Sequence, residues 1–199
     1  MVSMEAVVET ERARGFGKWE IATGRGELLR LSGQTAGAEV GSVLAVLAEY
    51  NDAEAPDAAG TLRELVAADG LIAPGGLRVR DAAGGVLVPR CCCGLEDWRE
   101  WAGLLERETP WLGHGPDLEA EYGADAVHLW QDVQRADAGR VTLPYDRLPV
   151  LLEGVRGELV AFLRLVEEWA APYGTEVRDT LCAKLDEEFS FTEPWEPWH

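Results

Sequence analysis

Three consecutive cysteines are the residues of this chain whose chemistry is most open to interpretation. Cys91, Cys92 and Cys93 follow the apolar run VLVP and precede the segment GLEDWREW. A thiolate is a nucleophile and a ligand for soft metal ions, whereas a protonated cysteine behaves as a small hydrophobic residue. The cluster therefore allows three interpretations: a reactive thiol, a metal site, or the buried end of a strand.

The spacing of the cysteines does not favour a metal ion. Alternate side chains of a strand point to opposite faces, so Cys91 and Cys93 would share a face that excludes Cys92. Zinc sites commonly use pairs of the C-x-x-C type, and the sequence contains no such pair. Other cysteine and histidine ligands could join the cluster only through the fold: Cys182, His114, His128 and His199. We predict no bound metal and no cofactor.

A cysteine-dependent enzyme or redox sensor is the second hypothesis for this cluster. A cysteine near the start of a GLEDW helix would feel the positive end of the helix dipole, which favours a thiolate. Arg90 would strengthen that effect, whereas Glu96 and Asp97 would oppose it. His114, in a glycine-rich loop, is the candidate base. We favour the structural interpretation, in which the three cysteines are mostly buried and continue an apolar strand.

The charge of the chain favours a basic protein partner. Its 199 residues carry a formal net charge of −18 at pH 7, of which residues 101–199 contribute −12. A surface of this sign repels the phosphates of nucleic acids, but it attracts and steers basic proteins. The simpler alternative is that this charge only keeps the protein soluble. We predict no nucleic-acid binding, and the sequence indicates no particular oligomeric state.

The sequence also predicts a cytoplasmic protein that does not bind or span a membrane. It contains no run of 18 apolar residues, the minimum for a membrane-spanning helix. The first residues, MVSMEAVVETERAR, include acidic side chains where a signal peptide needs a basic start and an apolar core. Cytosolic thiols are kept reduced, so we expect no structural disulfide.

Tryptophans in proline-flanked loops, with acidic residues near them, are the best candidates for a partner surface. Exposed tryptophan is favoured at binding hot spots, although a Pro-Trp pair can equally fold onto the protein body. The predicted partner-binding residues are Trp111, Asp117, Glu119, Glu121, Glu193, Trp195, Glu196 and Trp198.

The helices and strands predicted around these residues indicate one α+β domain over residues 1–199. Apolar periodicity predicts helices at 36–50, 61–69, 94–108, 154–173 and 175–189. Alternating patterns predict short antiparallel hairpins at 18–22 with 27–31, 77–79 with 86–88, and 119–123 with 126–132. The C-terminal third is therefore helical. Residues 1–14 and 190–199 are expected to be extended termini, with the first of them frayed.

Local signals refine three of these helices. Thr61, with Glu64 three residues later, predicts the N-cap of the second helix. Trp98 and Trp101 recur at the spacing of a buried helix face. Pro149 predicts an irregular segment or an interrupted short helix before residue 154.

The block VLVPRCCCGLEDWREW, followed by PWLGHGPD and AVHLWQD, resembles a family of uncharacterised proteins from GC-rich actinobacteria. The resemblance covers about residues 70–135 and implies no catalytic residue. The wider profile, acidic and without G-x-S-x-G, P-loop or H-E-x-x-H motifs, is similar to that of immunity proteins of bacterial toxin systems. We therefore predict a non-enzymatic, immunity or antitoxin-like interaction protein that masks a basic partner. The alternative is the cysteine-dependent enzyme that uses residues 91–93 with His114.

Overall fold

The computed structural model of the protein describes residues 1–23, 26–114, 118–131 and 140–194. These residues form the predicted α+β fold, in which two antiparallel sheets and five main helices share one apolar core. The strands are β1 (Ser3–Glu9), β2 (Leu28–Arg30), β3 (Gly75–Arg80), β4 (Val86–Leu87), β5 (Glu119–Tyr122), β6 (Ala126–Trp130) and β7 (Val141–Pro144). The main helices are α1 (Gly37–Tyr50), α2 (Ala58–Ala67), a long 3-10 helix (Leu95–Glu106), α3 (Leu148–Ala170) and α4 (Thr175–Phe189).

The first sheet has the strand order β2-β1-β3-β4, and every neighbouring pair is antiparallel. The prediction of a frayed N-terminus is wrong, because β1 pairs on both sides and lies inside this sheet. Ala6, Val7 and Val8 are almost completely buried. The hairpin predicted at 18–22 with 27–31 is also wrong, since β2 pairs with β1. The segment around Trp19 packs on α1 instead, where Trp19 Nε1 donates to the Gly41 carbonyl at 2.8 Å.

The second sheet is the meander β5-β6-β7. The hairpin predicted from 119–123 and 126–132 is confirmed, with Val127 and Leu129 buried on one face. Strand β7 was not predicted, although Val141 and Leu143 are buried and alternate with less buried neighbours. The side-chain amide of Gln131 joins the two sheets by pairing with the Val88 backbone: it accepts from the amide at 3.2 Å and donates to the carbonyl at 2.8 Å.

The α-helices agree with the apolar periodicity, but two of their start signals were misread. Asp57, not Thr61, caps α2, because the Asp57 carboxylate accepts a hydrogen bond from Gly60 N at 2.8 Å. Thr61 instead donates to carbonyls of the preceding turn. Pro149 does not interrupt a helix but lies in the first turn of α3, where the missing N–H has no cost.

The segment predicted as a helix at 94–108 is a 3-10 helix that holds the C-terminal end of α4. Trp98 and Trp101 are buried as predicted, and Trp98 Nε1 donates to the Phe189 carbonyl at 2.8 Å. Arg99 Nη2 donates to the carbonyl of Ser190 at 2.7 Å. Phe191 is buried and stacks on Phe189, so the first residues of the predicted extended C-terminus are anchored to the core. Residues 195–199 lie outside the described residues.

Candidate functional site

The cysteines lie in a turn, and this corrects the prediction that they extend a strand and are mostly buried. Strand β4 ends at Leu87, and the backbone turns at Cys91 and Cys92. Both of these side chains are exposed, whereas Cys93 is only 4% exposed. Cys92 has a φ of 69°, a left-handed conformation that few non-glycine residues adopt. The change of direction removes the strand-like alternation on which the prediction rested.

A second loop packs against this turn and brings His114 to it. Arg90 N donates to the Leu112 carbonyl at 2.9 Å, and His114 N donates to the Cys91 carbonyl at 3.1 Å. Gly113 lies between these two hydrogen bonds with a φ of 92°. A Cβ atom at Gly113 would approach the Cys91 carbonyl oxygen to 2.4 Å, so only glycine fits there. The backbone of the two loops therefore determines where the His114 ring lies.

Cys91, Cys92 and His114 form a compact group of potential ligands at the surface. Their thiol sulfur and imidazole nitrogen atoms lie within 4.8 Å of one another. Sequence spacing did not indicate this group, because adjacent side chains diverge in the strand that was expected here. The proximity of His114 agrees with the alternative hypothesis, which paired the cysteines with this residue. Cys93 belongs to the core side of the turn, and its thiol lies 3.7 Å from the Trp111 carbonyl.

The electrostatic surroundings do not favour a free thiolate at two of these cysteines. Burial raises the pKa of Cys93 to about 12, and the carboxylates of Asp97 and Glu96 add to the increase. Desolvation raises the pKa of Cys92 as well, with a further contribution from Cys91. Desolvation, with the nearby carboxylates adding to it at Cys93, thus favours the protonated thiol at both residues, and a nucleophilic role for either has no electrostatic support.

An acid-lined groove begins at the same turn. Its lining includes Glu9, Glu11 and Glu27, together with Arg90 and Cys91. The groove has a volume of about 320 Å³ and opens to solvent. Glu9 ends β1 and Glu11 begins the short 3-10 turn (Glu11–Ala13) that follows it, whereas Glu27 directly precedes β2. The antiparallel pairing of β1 with β2 therefore brings the three carboxylates together.

The acids of this groove are only partly neutralised within the described residues. Glu11 forms an exposed ion pair with Arg14 at 3.4 Å, whereas neither Glu9 nor Glu27 forms one. Desolvation raises the pKa of Glu9, Arg12 acts against this increase, and the carboxylates of Glu11 and Glu27 add to it. The negative charge on Glu9 therefore opposes folding, and a cation in the groove would reduce this cost.

Trp111 lies beside the cluster and is the exposed aromatic residue of this surface. It is 44% exposed, and its ring packs edge-on against the His114 ring at a centroid distance of 5.4 Å. The Cys91 thiol lies 3.8 Å from the His114 carbonyl. A continuous surface therefore runs from the acid-lined groove through Cys91 and His114 to Trp111.

The other predicted partner-binding residues are not brought to this surface as one group. Glu119 and Glu121 are exposed on β5, where Glu121 pairs with Arg140 at 2.5 Å. Glu193 lies near the end of α4 and approaches Arg99 Nε to 4.0 Å. The groove was not predicted, because its acids are distant along the chain from the proline-flanked tryptophans, which directed attention to the acidic C-terminal half. Four predicted residues lie outside the described residues: Asp117, Trp195, Glu196 and Trp198.

No helix in the described part of the chain is long and apolar enough to cross a membrane. A scan of family models, a search of curated proteins and a search of solved structures return no significant match to the chain. The contacts and charges of the surface described above are therefore the basis for a functional proposal.

Proposed function

We propose that the protein is a non-enzymatic binding protein that masks a basic protein partner. The acid-lined groove, formed by Glu9, Glu11 and Glu27, would receive a lysine or arginine side chain of that partner. The observation that carries the proposal is the convergence of these carboxylates, two of which have no ion pair among the described residues. The proposed contact surface is therefore the groove, whereas the sequence favoured the acids of the C-terminal half. The kind of partner, a basic protein, is the one predicted from the charge.

Charge and aromatic anchoring would have separate effects on binding. The net charge of −18 would steer a basic partner towards the protein and raise the association rate. Trp111, exposed at the other end of the same surface, would be buried in the interface, where tryptophan is a common hot spot. An immunity or antitoxin-like role would follow if the basic partner were a toxin whose active surface the groove covers.

The proposal is tested by capturing partners from a lysate of the native host with three forms of the protein. The first form is the wild type, and the second carries Glu9→Gln with Glu27→Gln. The third carries Glu168→Gln with Glu187→Gln, which makes the same change in net charge. Both control residues are exposed on the C-terminal helices and form no ion pair among the described residues. We expect one basic protein to be retained by the wild type and the control, and lost from the groove variant.

Binding kinetics with the purified partner then separate steering from anchoring. The groove variant should associate more slowly than the wild type and should show a weaker dependence on salt concentration. The Trp111→Ala variant should dissociate faster, with little change in association. An acidic partner, or equal losses for the groove and control variants, would contradict the proposal.

A further inference from the structure

We propose that Cys91, Cys92 and His114 form a binding site for a thiophilic divalent cation, with Zn²⁺ as the physiological candidate. Two sulfur atoms and one imidazole nitrogen lie within 4.8 Å of one another at the surface. This donor set is one that zinc prefers, and three protein ligands leave a fourth position of a tetrahedral site open. The proposal concerns the isolated protein and does not depend on the proposed partner.

The backbone explains why two adjacent cysteines can serve one ion. In a strand their side chains would diverge, but the turn with a φ of 69° at Cys92 allows both thiols to lie near the His114 ring. The third ligand is held by the hydrogen bond from His114 N to the Cys91 carbonyl, at 3.1 Å. Both loops are therefore positioned by backbone contacts that do not require a metal.

The distances are suited to zinc after a small adjustment. Zinc–sulfur bonds of about 2.3 Å and zinc–nitrogen bonds of about 2.0 Å place tetrahedral ligand atoms roughly 3.5–3.8 Å apart. Any two of the three atoms need to approach by about 1.3 Å at most from their present limit of 4.8 Å. All three side chains are exposed, so rotation about their side-chain bonds can supply this movement without disturbing the core.

The acid-lined groove favours a cation at this position. Cys91 borders a groove lined by three acidic residues, Glu9, Glu11 and Glu27, and by one basic residue, Arg90, so the balance of charge favours a cation next to the thiols. Binding would replace the proton of each thiol by a bond to the metal and release two protons to solvent. The reaction needs no oxidant, in contrast to a disulfide between the two cysteines.

The test is a titration of the purified protein with Co²⁺, a spectroscopic substitute for zinc, in the presence of a non-thiol reductant. The absorption spectrum reports thiolate coordination through a charge-transfer band and tetrahedral geometry through visible d–d bands. Competition with Zn²⁺ then gives the zinc affinity. We expect one equivalent of metal to bind per chain, with both spectral signatures.

Two ligand variants and one control variant test the assignment of Cys91 and His114. Cys91→Ser and His114→Ala should each weaken binding by roughly 100-fold or more, because loss of an outer-shell partner alone costs about 10–100-fold. Cys182→Ser removes a half-buried thiol elsewhere in the fold and should bind like the wild type. Circular dichroism and thermal unfolding confirm that each variant is folded, as expected for changes at exposed ligands.

Two results would overturn the assignment. The first is the absence of a charge-transfer band in the wild type, which would show that the thiols do not coordinate the metal. The second is a set of affinities that does not separate the ligand variants from the control. This would be an equal loss of affinity in Cys182→Ser and Cys91→Ser, or no loss in Cys91→Ser and His114→Ala. Either pattern would place the metal elsewhere or show non-specific binding only.

Discussion

Replacing Gly113 by alanine should separate the two loops that form the thiol–imidazole cluster. The φ of 92° costs a residue with a Cβ atom about 1–2 kcal/mol. The new Cβ would also lie 2.4 Å from the Cys91 carbonyl oxygen and 2.8 Å from that of Arg90, and backbone atoms cannot move aside cheaply. Movement of the loops would break two backbone hydrogen bonds, worth about 0.5–1.5 kcal/mol each. The expected total loss of stability is therefore about 2–5 kcal/mol.

Gly84 provides a matched control for this change. Its φ is 95°, but a Cβ atom there would meet nothing within 4 Å. Gly84→Ala should therefore cost only the conformational part, about 1–2 kcal/mol. Urea unfolding of both variants measures the difference, and the cobalt titration shows whether His114 is still near the cysteines. Equal stabilities for the two variants, or unchanged cobalt binding by Gly113→Ala, would refute the proposed loop contact.

Two further predictions concern the core and the groove. Trp101→Ala should reduce the free energy of unfolding in urea by about 3–5 kcal/mol, because Trp101 is only 2% exposed; an unchanged stability would mean that this face is not packed. Glu9→Gln should raise stability at pH 7 by about 0.5 kcal/mol, because the raised pKa of Glu9 means that its charge opposes folding. The protonated Glu9 side chain stabilises the fold: this contribution is complete below the unfolded-state pKa of about 4.5 and is lost as the pH rises through the raised pKa of the folded protein. The thermal unfolding of the wild type and of Glu9→Gln should therefore converge near pH 4. A gain that persists at pH 4 would contradict this assignment.

The sequence predicted the helices of the core well, because their large apolar residues recur at helical spacing. In α1 the burial goes beyond one face, since every residue from Val40 to Ala48 is buried. One predicted helix differs in its helix type: residues 95–106 form a 3-10 helix, although an α-helix was expected. Its large buried residues, Leu95, Trp98, Trp101 and Leu104, recur every three residues, and three residues make one turn of a 3-10 helix; the small Ala102 is buried as well. Leu105, expected on the same α-helical face, is only half-buried. The strict interval of three was therefore the signal that distinguished the two kinds of helix.

The central strand β1 could not be recognised from its own residues. It contains Glu5, and a carboxylate within a short apolar segment suggests an exposed terminus. The structure places Glu5 directly opposite Arg78, with the two side chains 2.8 Å apart, and close to Arg30 and Arg80. These arginines come from β2 and β3, up to 75 residues away along the chain. Only the fold reveals that the acid in this strand is compensated.

Only part of the candidate site could be predicted from the sequence, for a similar reason. The residue types suggested cysteine chemistry with His114 as a partner. The expected strand, however, would place the side chains of Cys91 and Cys92 on opposite faces, so their proximity was not predicted. The turn depends on a left-handed φ at Cys92 and on a second loop 20 residues later, neither of which a local pattern reports. The groove acids were missed because they lie at or next to the ends of β1 and β2, whose pairing was not predicted.

The proposed metal site and the proposed partner surface share Cys91, yet their electrostatic effects are separable. A divalent cation that replaces two thiol protons adds no net charge to the surface, because two thiolates balance it. The attraction between the acid-lined groove and a basic partner would therefore be the same with and without bound metal. We therefore expect the association rate of the partner not to depend on bound metal. If a side chain of the partner occupied the fourth coordination position of the metal, the metal would instead slow dissociation. Failure of either proposal consequently leaves the other standing, since one rests on the ligand atoms around Cys91 and the other on the carboxylates of Glu9 and Glu27.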